Sequence, residues 1–378
     1  MNTLTRLMTA SKIALVIHTS ACSDHEGRDD AGFGGGSPAT GGSSDGTPTS
    51  GGGASTDGSS TSTSTGTGSS TSTSAGTSTS GSTNNEPGTG GEACNDPPGT
   101  PVDPKYSLGP KFADHYAIYD LGEVPGNDVM IGGTVIKSSD PDVLLIISAP
   151  GLPPAQILRI GLTRGPCGHI TGFQGVAQAI AEVPQAQSII FANEDLMLVT
   201  VTPTNRLYQI LSGDDTPSLA YDFDVMKEVQ YSASGIAIVP KSYGLGVPTL
   251  CFSSYALGAF TCGEITAKGP LVEFSGLKKL STYGPGNGFA YLPDDLNLPV
   301  FAPHSMLGST TVFDDVFAYR CDKDGVPIFE SGEPFVVGDT HNVSIDPIAG
   351  DVLVSAINYP GDPFNHLLLV RPRTLIAN

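Results

Sequence analysis

Basic residues are scarce in this sequence. It contains 18 Lys and Arg against 38 Asp and Glu, so its formal net charge is −20. Residues 106–378, which have the apolar content of an ordinary globular domain, hold 28 of the acidic and 14 of the basic residues. An acidic chain without basic patches repels a phosphate backbone, so we expect no nucleic-acid partner.

Long apolar runs and the common catalytic motifs are also missing. After the first 22 residues, no apolar run approaches the roughly 18–20 residues that a membrane-spanning helix needs. Residues 106–378 contain no G-x-S-x-G elbow, no H-E-x-x-H pair and no phosphate-binding loop. These absences favour a binding protein over an enzyme without deciding between them.

Residues 1–22, MNTLTRLMTASKIALVIHTSAC, have the order of a secretory signal. Arg6 and Lys12 provide positive charge, residues 13–17 form a short apolar run, and small residues 19–21 precede Cys22. The segment resembles the signal of bacterial lipoproteins, which ends in small residues followed by a cysteine. A plain secretory signal is the alternative interpretation.

The resemblance implies that Cys22 carries a diacylglycerol on its sulfur and an acyl group on its new amino terminus. Several acyl chains hold a protein stably on a bilayer, whereas one chain does not. The residue after the cysteine is Ser23, which in the lipoprotein pattern favours the outer membrane. We therefore predict an exported chain that is anchored to the bacterial outer membrane or cell surface.

Residues 23–105 are polar, and their centre is almost pure Ser, Thr and Gly. Such a stretch has no apolar groups to bury, so nothing offsets the entropy of ordering it. It predicts a flexible tether with a reach of roughly 50 Å, and the composition does not decide whether its hydroxyls are glycosylated. The sequence thus divides into a signal peptide (1–22), a tether (23–105) and a folded domain (106–378).

The domain shows short β-rich runs separated by Pro, Gly and Asp, which predicts an all-β fold. A repeat is visible, in which a strand of small residues ends near a proline and a strongly apolar strand follows. The prolines recur 43–56 residues apart, at Pro141, Pro184, Pro240, Pro293 and Pro347. The apolar strands of the five copies are then expected at 142–148, 188–193, 248–254, 298–303 and 351–356.

A third strand follows each apolar one, and a weaker fourth follows in most copies. A four-stranded unit of roughly 40–55 residues repeated around a ring predicts a β-propeller, here with five blades. The last copy lacks its fourth strand, and residues 116–122 (YAIYDLG) are suited to supply it. That pairing would close the ring by joining the two chain ends.

Residues 344–356, SIDPIAGDVLVSA, resemble a pattern of NHL-like propellers. This likeness is generic to the fold and implies no function. Six blades or a β-sandwich are the alternative folds.

The sequence has six cysteines. Cys251 and Cys262 lie on two strands of a predicted hairpin, where a four-residue loop would place them directly opposite each other, close enough to be bridged. Export to an oxidising compartment permits that disulfide, and two buried thiols are the alternative. The pattern does not pair Cys94, Cys167 and Cys321, one of which should stay free.

Candidate residues for chemistry are few. His304 and His341 fall near strand ends, where a propeller collects side chains around its axis, and either histidine could act as an acid or base. Asp322 and Asp324 resemble the start of a calcium loop, but the later ligands do not follow Gly325, so a plain turn is the alternative. No cofactor is predicted, with Ca²⁺ kept as the alternative.

The leading hypothesis is a monomeric surface lipoprotein whose propeller binds a surface protein or a glycan without catalysis. The rival hypothesis is a calcium-dependent propeller hydrolase or lyase. The rival predicts that several of Asp128, His304, Asp314 and His341 converge on one face of the ring. A third hypothesis, a spacer that fills the surface layer, predicts no pocket.

Overall fold

The computed structural model describes residues 96–97, 99–201, 205–222, 233–255, 259–293, 296, 298–310, 314–357 and 365–373. The predicted signal peptide, Cys22, Cys94 and the tether up to residue 95 lie outside these residues. The described residues form β-strands and two single-turn 3₁₀ helices, Lys241–Tyr243 and Phe329–Ser331. None of their helices is long and apolar enough to cross a membrane.

The strands form five antiparallel sheets, which are the blades of a propeller. Blade I contains β4 (Ile131–Lys137), β5 (Asp140–Ser148), β6 (Ala155–Arg164) and β7 (Ile170–Val183). Blade II contains β8 (Ile189–Asn193), β9 (Leu196–Val201), β10 (Arg206–Leu211) and β11 (Leu219–Asp222). Blade III contains β12 (Ala233–Ile238), β13 (Thr249–Ser254), β14 (Phe260–Lys268) and β15 (Leu271–Ser281).

The last two blades also take strands from the beginning of the domain. Blade IV contains β16 (Phe289–Tyr291), β17 (Ser305–Ser309), β18 (Val316–Arg320) and β19 (Glu333–Val337), with β2 (Ser107–Leu108) at its outer edge. Blade V contains β20 (Thr340–Ile345), β21 (Val352–Ala356), β22 (His366–Pro372) and β3 (Tyr116–Glu123), with β1 (Thr100–Pro101) outermost.

The ring is closed by pairing of the two chain ends. β3 is the fourth strand of blade V and pairs with β22 in a register that places Ile118 opposite Val370. The prediction that residues 116–122 supply the missing strand is therefore confirmed, as is the five-bladed all-β propeller. The six-bladed and β-sandwich alternatives were wrong.

Strands were assigned wrongly in two of the five predicted repeat copies. In the second copy, residues 179–183 end β7, the outer strand of blade I, and residues 189–193 form β8, the innermost strand of blade II. Pro184 therefore lies between two blades, and Glu194 and Asp195 occupy the turn where blades III, IV and V carry a proline. The apolar character of β8 caused the error, because it resembles that of a buried second strand.

In the fourth copy, residues 298–303 are not a strand, and the second strand is β17. Val300 and His304 have positive φ angles, 73° and 57°, which interrupt an extended backbone. The side chains of Leu298, Val300 and Phe301 still pack into the core between blades IV and V. Residues 298–303 were predicted as a strand because the apolar residues of this buried loop have the composition of a buried strand.

Apolar side chains fill the spaces between neighbouring blades. Between blades IV and V, Phe112 and Tyr116 pack edge-to-face on Phe335, with ring centroids 5.0 and 5.5 Å apart. The Tyr116 hydroxyl donates a hydrogen bond to the Pro299 carbonyl at 2.9 Å. Fully burying a side chain of this size contributes roughly 1.5–3 kcal/mol, so side-chain packing helps to hold β3 in the ring.

Hydroxyl groups on the second strands join successive blades. Thr200 Oγ1 donates to the Ser234 carbonyl at 2.6 Å, and Ser253 Oγ donates to the Asn287 carbonyl at 2.8 Å. Ser309 Oγ makes the corresponding bond to the Thr340 carbonyl at 3.3 Å. The same contact thus links blade II to III, III to IV and IV to V near the axis.

Candidate binding site: a pocket on the propeller axis

The five innermost strands (β4, β8, β12, β16 and β20) surround the axis. Each begins on one face of the ring, here called the upper face, and ends on the lower face. Gly133, Gly235 and Gly288 occupy equivalent positions near the upper face. A Cβ at Gly235 would lie 2.3 Å from a carbonyl oxygen of blade IV, so these blades approach too closely for a side chain. The equivalent positions of the other two blades carry Ser188 in blade II and Asn342 in blade V.

Two pairs of side chains close the upper end of the axis. Asn342 Nδ2 donates to Ser188 Oγ at 2.9 Å, and His341 Nε2 lies 3.0 Å from Gln187 Nε2. Both pairs join blade V to blade II, which are not neighbours in the ring. The paired side chains therefore span the channel, and we call these four residues the axial plug.

Below the plug lies a pocket of about 670 Å³. Its walls are residues of the five innermost strands, and its lining extends to the turns of the lower face, where Lys241 and Ser242 are exposed. The plug lies at the upper end of this pocket, and the exposed turns lie at its lower end, here called the mouth. A volume of this size lies within the range that small-molecule sites occupy.

Charge is confined to the mouth of the pocket. Among the described lining residues, only Lys137, Glu194 and Lys241 are charged, and all three lie where the innermost strands end. Lys137 Nζ is 3.7 Å from Glu194 Oε2 and lies over the ring of Phe191. The interior is thus uncharged, with apolar walls and a floor of hydroxyl and amide groups.

His341 is buried within the axial plug. Desolvation lowers the pKa of its imidazole to about 4, so the ring is neutral at pH 7. A neutral ring accepts through one nitrogen, and Gln187 donates to Nε2. The Nδ1 atom is buried without a hydrogen-bond partner among the described residues. This geometry gives His341 a structural part in closing the axis.

The other three residues of the rival hypothesis do not form a cluster with His341. His304 lies on the lower face, stacked on Tyr243 at 4.2 Å between ring centroids. Asp128 and Asp314 lie on the upper face, but in the described residues no hydrogen bond or ion pair joins either carboxylate to His341. The Asp314 carbonyl accepts from the Thr340 amide at 2.6 Å, and burial, then the nearby Asp339, raises the pKa of its carboxyl.

Asp322 and Asp324 lie in a tight turn between β18 and β19. Asp322 Oδ1 accepts the backbone N–H groups of Asp324 and Val326, both at 2.9 Å. Lys323 forms an ion pair with Asp324 at 2.7 Å. In the described part of the chain, no group of three or more His, Cys, Asp or Glu side chains is arranged to hold a metal ion. The calcium alternative stays a prediction.

The Cys251–Cys262 disulfide is confirmed. The two residues are directly opposite in the register of β13 and β14, with 4.1 Å between their Cα atoms. Cys321 is a buried free thiol, and Cys167 is disulfide-bonded. Asp96 Oδ1 accepts the Cys167 backbone N–H at 3.1 Å.

Sequence reasoning missed a buried ionic contact between blades I and V. The guanidinium of Arg164 donates to both carboxylate oxygens of Asp346, at 2.8 and 2.9 Å, and Asp346 is fully buried. Close by, His169 Nδ1 is 2.7 Å from Asp351 Oδ1. Both aspartates belong to residues 344–351 (SIDPIAGD), which carry the likeness to NHL-like propellers. In this chain the two aspartates of that pattern bond to blade I and so have a structural role.

The comparisons with known proteins identify no family. No family model matches the sequence, and no curated protein matches it. The chain is similar to the solved structure of Myxococcus xanthus glutaminyl cyclase, with 10% identity over 68% of this chain and 97% of that chain, at a TM-score of 0.40.

Two further solved structures are similar to the chain. The PQQ-bound aldose sugar dehydrogenase of Streptomyces coelicolor shows 10% identity over 66% of this chain and 82% of that chain, with a TM-score of 0.34. The Swd1 β-propeller domain of Myceliophteria thermophila shows 8% identity over 64% and 71%, with a TM-score of 0.33. At these scores the likeness carries no argument about the activity of this chain.

Proposed function

We propose that this chain is a cell-envelope lipoprotein whose propeller is a binding module, and that the pocket on the axis is its binding site. The observation that carries this proposal is the pocket itself, about 670 Å³ in volume and closed at one end by the axial plug. A preformed concave site with apolar walls and a few polar groups is the usual architecture of a small-ligand site.

The uncharged interior favours binding over acid–base chemistry at this site. An acid or base must present a titrating group to its substrate, and the charged side chains of the described lining lie at the mouth. The single histidine nearest the floor belongs to the plug, where burial holds it neutral and its Nε2 is already paired.

A pocket-blocking variant tests the binding function. Ala290 is half-buried in the pocket wall, and Ala290→Phe should fill the lumen. Ala220→Phe places the same side chain on the exposed outer strand β11 and serves as the control. A ligand at 100 times its Kd stabilises a protein by about 2.7 kcal/mol, so thermal melting of the full chain can screen glycans and cell-envelope fractions.

We expect at least one fraction to raise the melting temperature of the wild-type chain and of Ala220→Phe but not of Ala290→Phe. Equal shifts in all three chains would place binding outside the pocket and overturn the proposal.

The membrane anchor is tested separately. When the chain is expressed in bacteria fed labelled palmitate, we expect label in the wild-type protein and none in Cys22→Ala. Cell fractionation should then recover the wild-type chain with the membranes and the variant in the soluble fraction. Equal labelling of both chains would show that Cys22 is not the acylated residue.

A further inference from the structure

We infer that the pocket accepts the alkyl chain of an amphiphile, with the polar head group left at the mouth. This inference rests on the proposed function and names the ligand class of the same site. It departs from the earlier expectation of a protein or glycan ligand, and four features of the described pocket residues support it.

The first feature is one layer of side chains in the pocket lining, here called the lumen layer. The strand registers align Val135, Ile190, Ala237, Ala290 and Ser344, one from each blade. Four of the five are aliphatic, and three are small. Small apolar side chains leave space at the axis and offer no hydrogen bonds, which suits a chain of methylene groups.

The second feature is that polar groups of the pocket lining already bond to each other. Thr134 Oγ1 and Ser344 Oγ are 2.6 Å apart, and Asn342 Nδ2 donates to Ser188 Oγ at 2.9 Å. A sugar ring placed here would lose its hydration without gaining equivalent partners, which costs free energy for every buried hydroxyl. An alkyl chain has no such requirement.

The third feature is the position of the charges. A charged group inserted deeper than the mouth would lose its hydration, and the described lining residues there carry no charge that could offset the loss. At the mouth, the Lys137–Glu194 pair and Lys241 lie beside solvent. The polar end of a ligand is therefore favoured at the mouth and its apolar end inside.

The fourth feature is depth. Asn342 in the plug and Ile345 toward the mouth are three residues apart in β20, and a strand rises by about 3.3 Å per residue, so the part of the pocket lined by this strand is about 10 Å deep. A single alkyl chain entering from the lower face can extend along the axis until it reaches the plug.

Alkyl glucosides separate the contribution of the tail from that of the sugar. We would titrate the full chain with methyl, hexyl, octyl and decyl β-glucoside, each below its micelle concentration, and measure Kd by calorimetry. Burying one methylene contributes about 0.8 kcal/mol, which is about a fourfold gain in affinity. We therefore expect hexyl to octyl to improve the Kd roughly 15-fold, and methyl glucoside to show no measurable binding.

Two variants tie that gain to the pocket. Ala290→Phe and Val135→Phe, both in the lumen layer, should each abolish the dependence on chain length, while Ala220→Phe on the outer strand should retain it. Using two blocking variants guards against one that fails to fold, which circular dichroism would show.

The inference is wrong if affinity does not increase with chain length, or if the increase survives both blocking variants. Its failure is distinct from failure of the binding function. If methyl glucoside bound as tightly as octyl glucoside and this binding were lost in Ala290→Phe, the pocket would remain a binding site. Its ligand would then be a sugar and not an alkyl chain.

Discussion

Arg164 and Asp346 join the first blade of the propeller to the last through a bidentate ion pair. The carboxylate is fully buried, and the guanidinium also donates to the Pro141 and Gly168 carbonyls, each at 2.6 Å. Removing one partner of a buried pair leaves an uncompensated charge. We therefore expect Arg164→Leu to lower the free energy of unfolding by roughly 3–5 kcal/mol.

Arg159→Leu is the matched control, because the Arg159–Asp140 pair lies in the same blade but is about half exposed. Exposed pairs contribute roughly 0–1 kcal/mol. Urea unfolding followed by circular dichroism gives both values. Similar losses in the two variants would show that burial of Asp346 does not set the strength of the contact.

The axial plug makes stability depend on pH. Burial lowers the pKa of His341 from 6.5 to about 4, so between these values the unfolded chain binds a proton that the folded chain excludes. The stabilisation is fully present above pH 6.5 and is lost as the pH falls toward 4, by roughly 3 kcal/mol in all.

Because carboxylates also titrate at the lower end of this window, the measurement compares two chains. The free energy of unfolding of wild type and His341→Gln is determined between pH 7.5 and 4. We expect the wild-type curve to fall more steeply, so that the wild type loses stability relative to His341→Gln as the pH falls. Parallel curves would mean that the His341 proton is not excluded on folding.

The hydroxyl hydrogen bonds between blades predict that replacing two equivalent serines by alanine will change the free energy of unfolding differently. Ser253 Oγ accepts the Gly235 N–H at 3.0 Å and donates to the Asn287 carbonyl, so Ser253→Ala leaves two buried groups unpaired. Ser355 holds the same position in blade V, but its buried Oγ has no partner among the described residues.

We expect Ser253→Ala to lower the free energy of unfolding by about 1–3 kcal/mol and Ser355→Ala to leave it unchanged or raise it. Thermal and urea unfolding of the two variants test this directly. A Ser355→Ala loss as large as that of Ser253→Ala would contradict the assigned bonding.

The free thiol of Cys321 should be inert in the folded chain. It is 8% exposed, and burial raises the pKa of its thiol to about 12, so almost none is thiolate at pH 8. We expect iodoacetamide to leave the Cys321 peptide unmodified in native protein and to alkylate it fully in urea without a reductant. Mass spectrometry of the peptide measures both, and rapid labelling of native protein would refute the expected burial.

Parts of this fold follow from local patterns in the sequence. The number of blades follows from the apolar strand repeat. The closure follows from a fifth copy that lacks its outer strand, while the strand-like residues 116–122 lie before the first copy. The Cys251–Cys262 bridge follows from a hairpin, in which two residues separated by a short turn must face each other.

Strand identity inside a repeat was harder to predict. β8 was taken for a second strand, and residues 298–303 were taken for a strand, because apolar content marks burial and does not say where in the sheet a segment lies. Inner and outer strands of a blade can show the same apolar pattern. Only the pairing of the strands in the folded chain therefore decides which strand of the blade a segment forms.

The sequence by itself thus determined the all-β repeat, its closure and one disulfide, since each depends on spacing along the chain. Tertiary structure alone decided the plug, the pocket and the contact between Arg164 and Asp346. Gln187 and His341 are 154 residues apart in the chain, and Arg164 and Asp346 are 182 apart. Such pairs have no local signal, because their side chains meet only when the ring has closed.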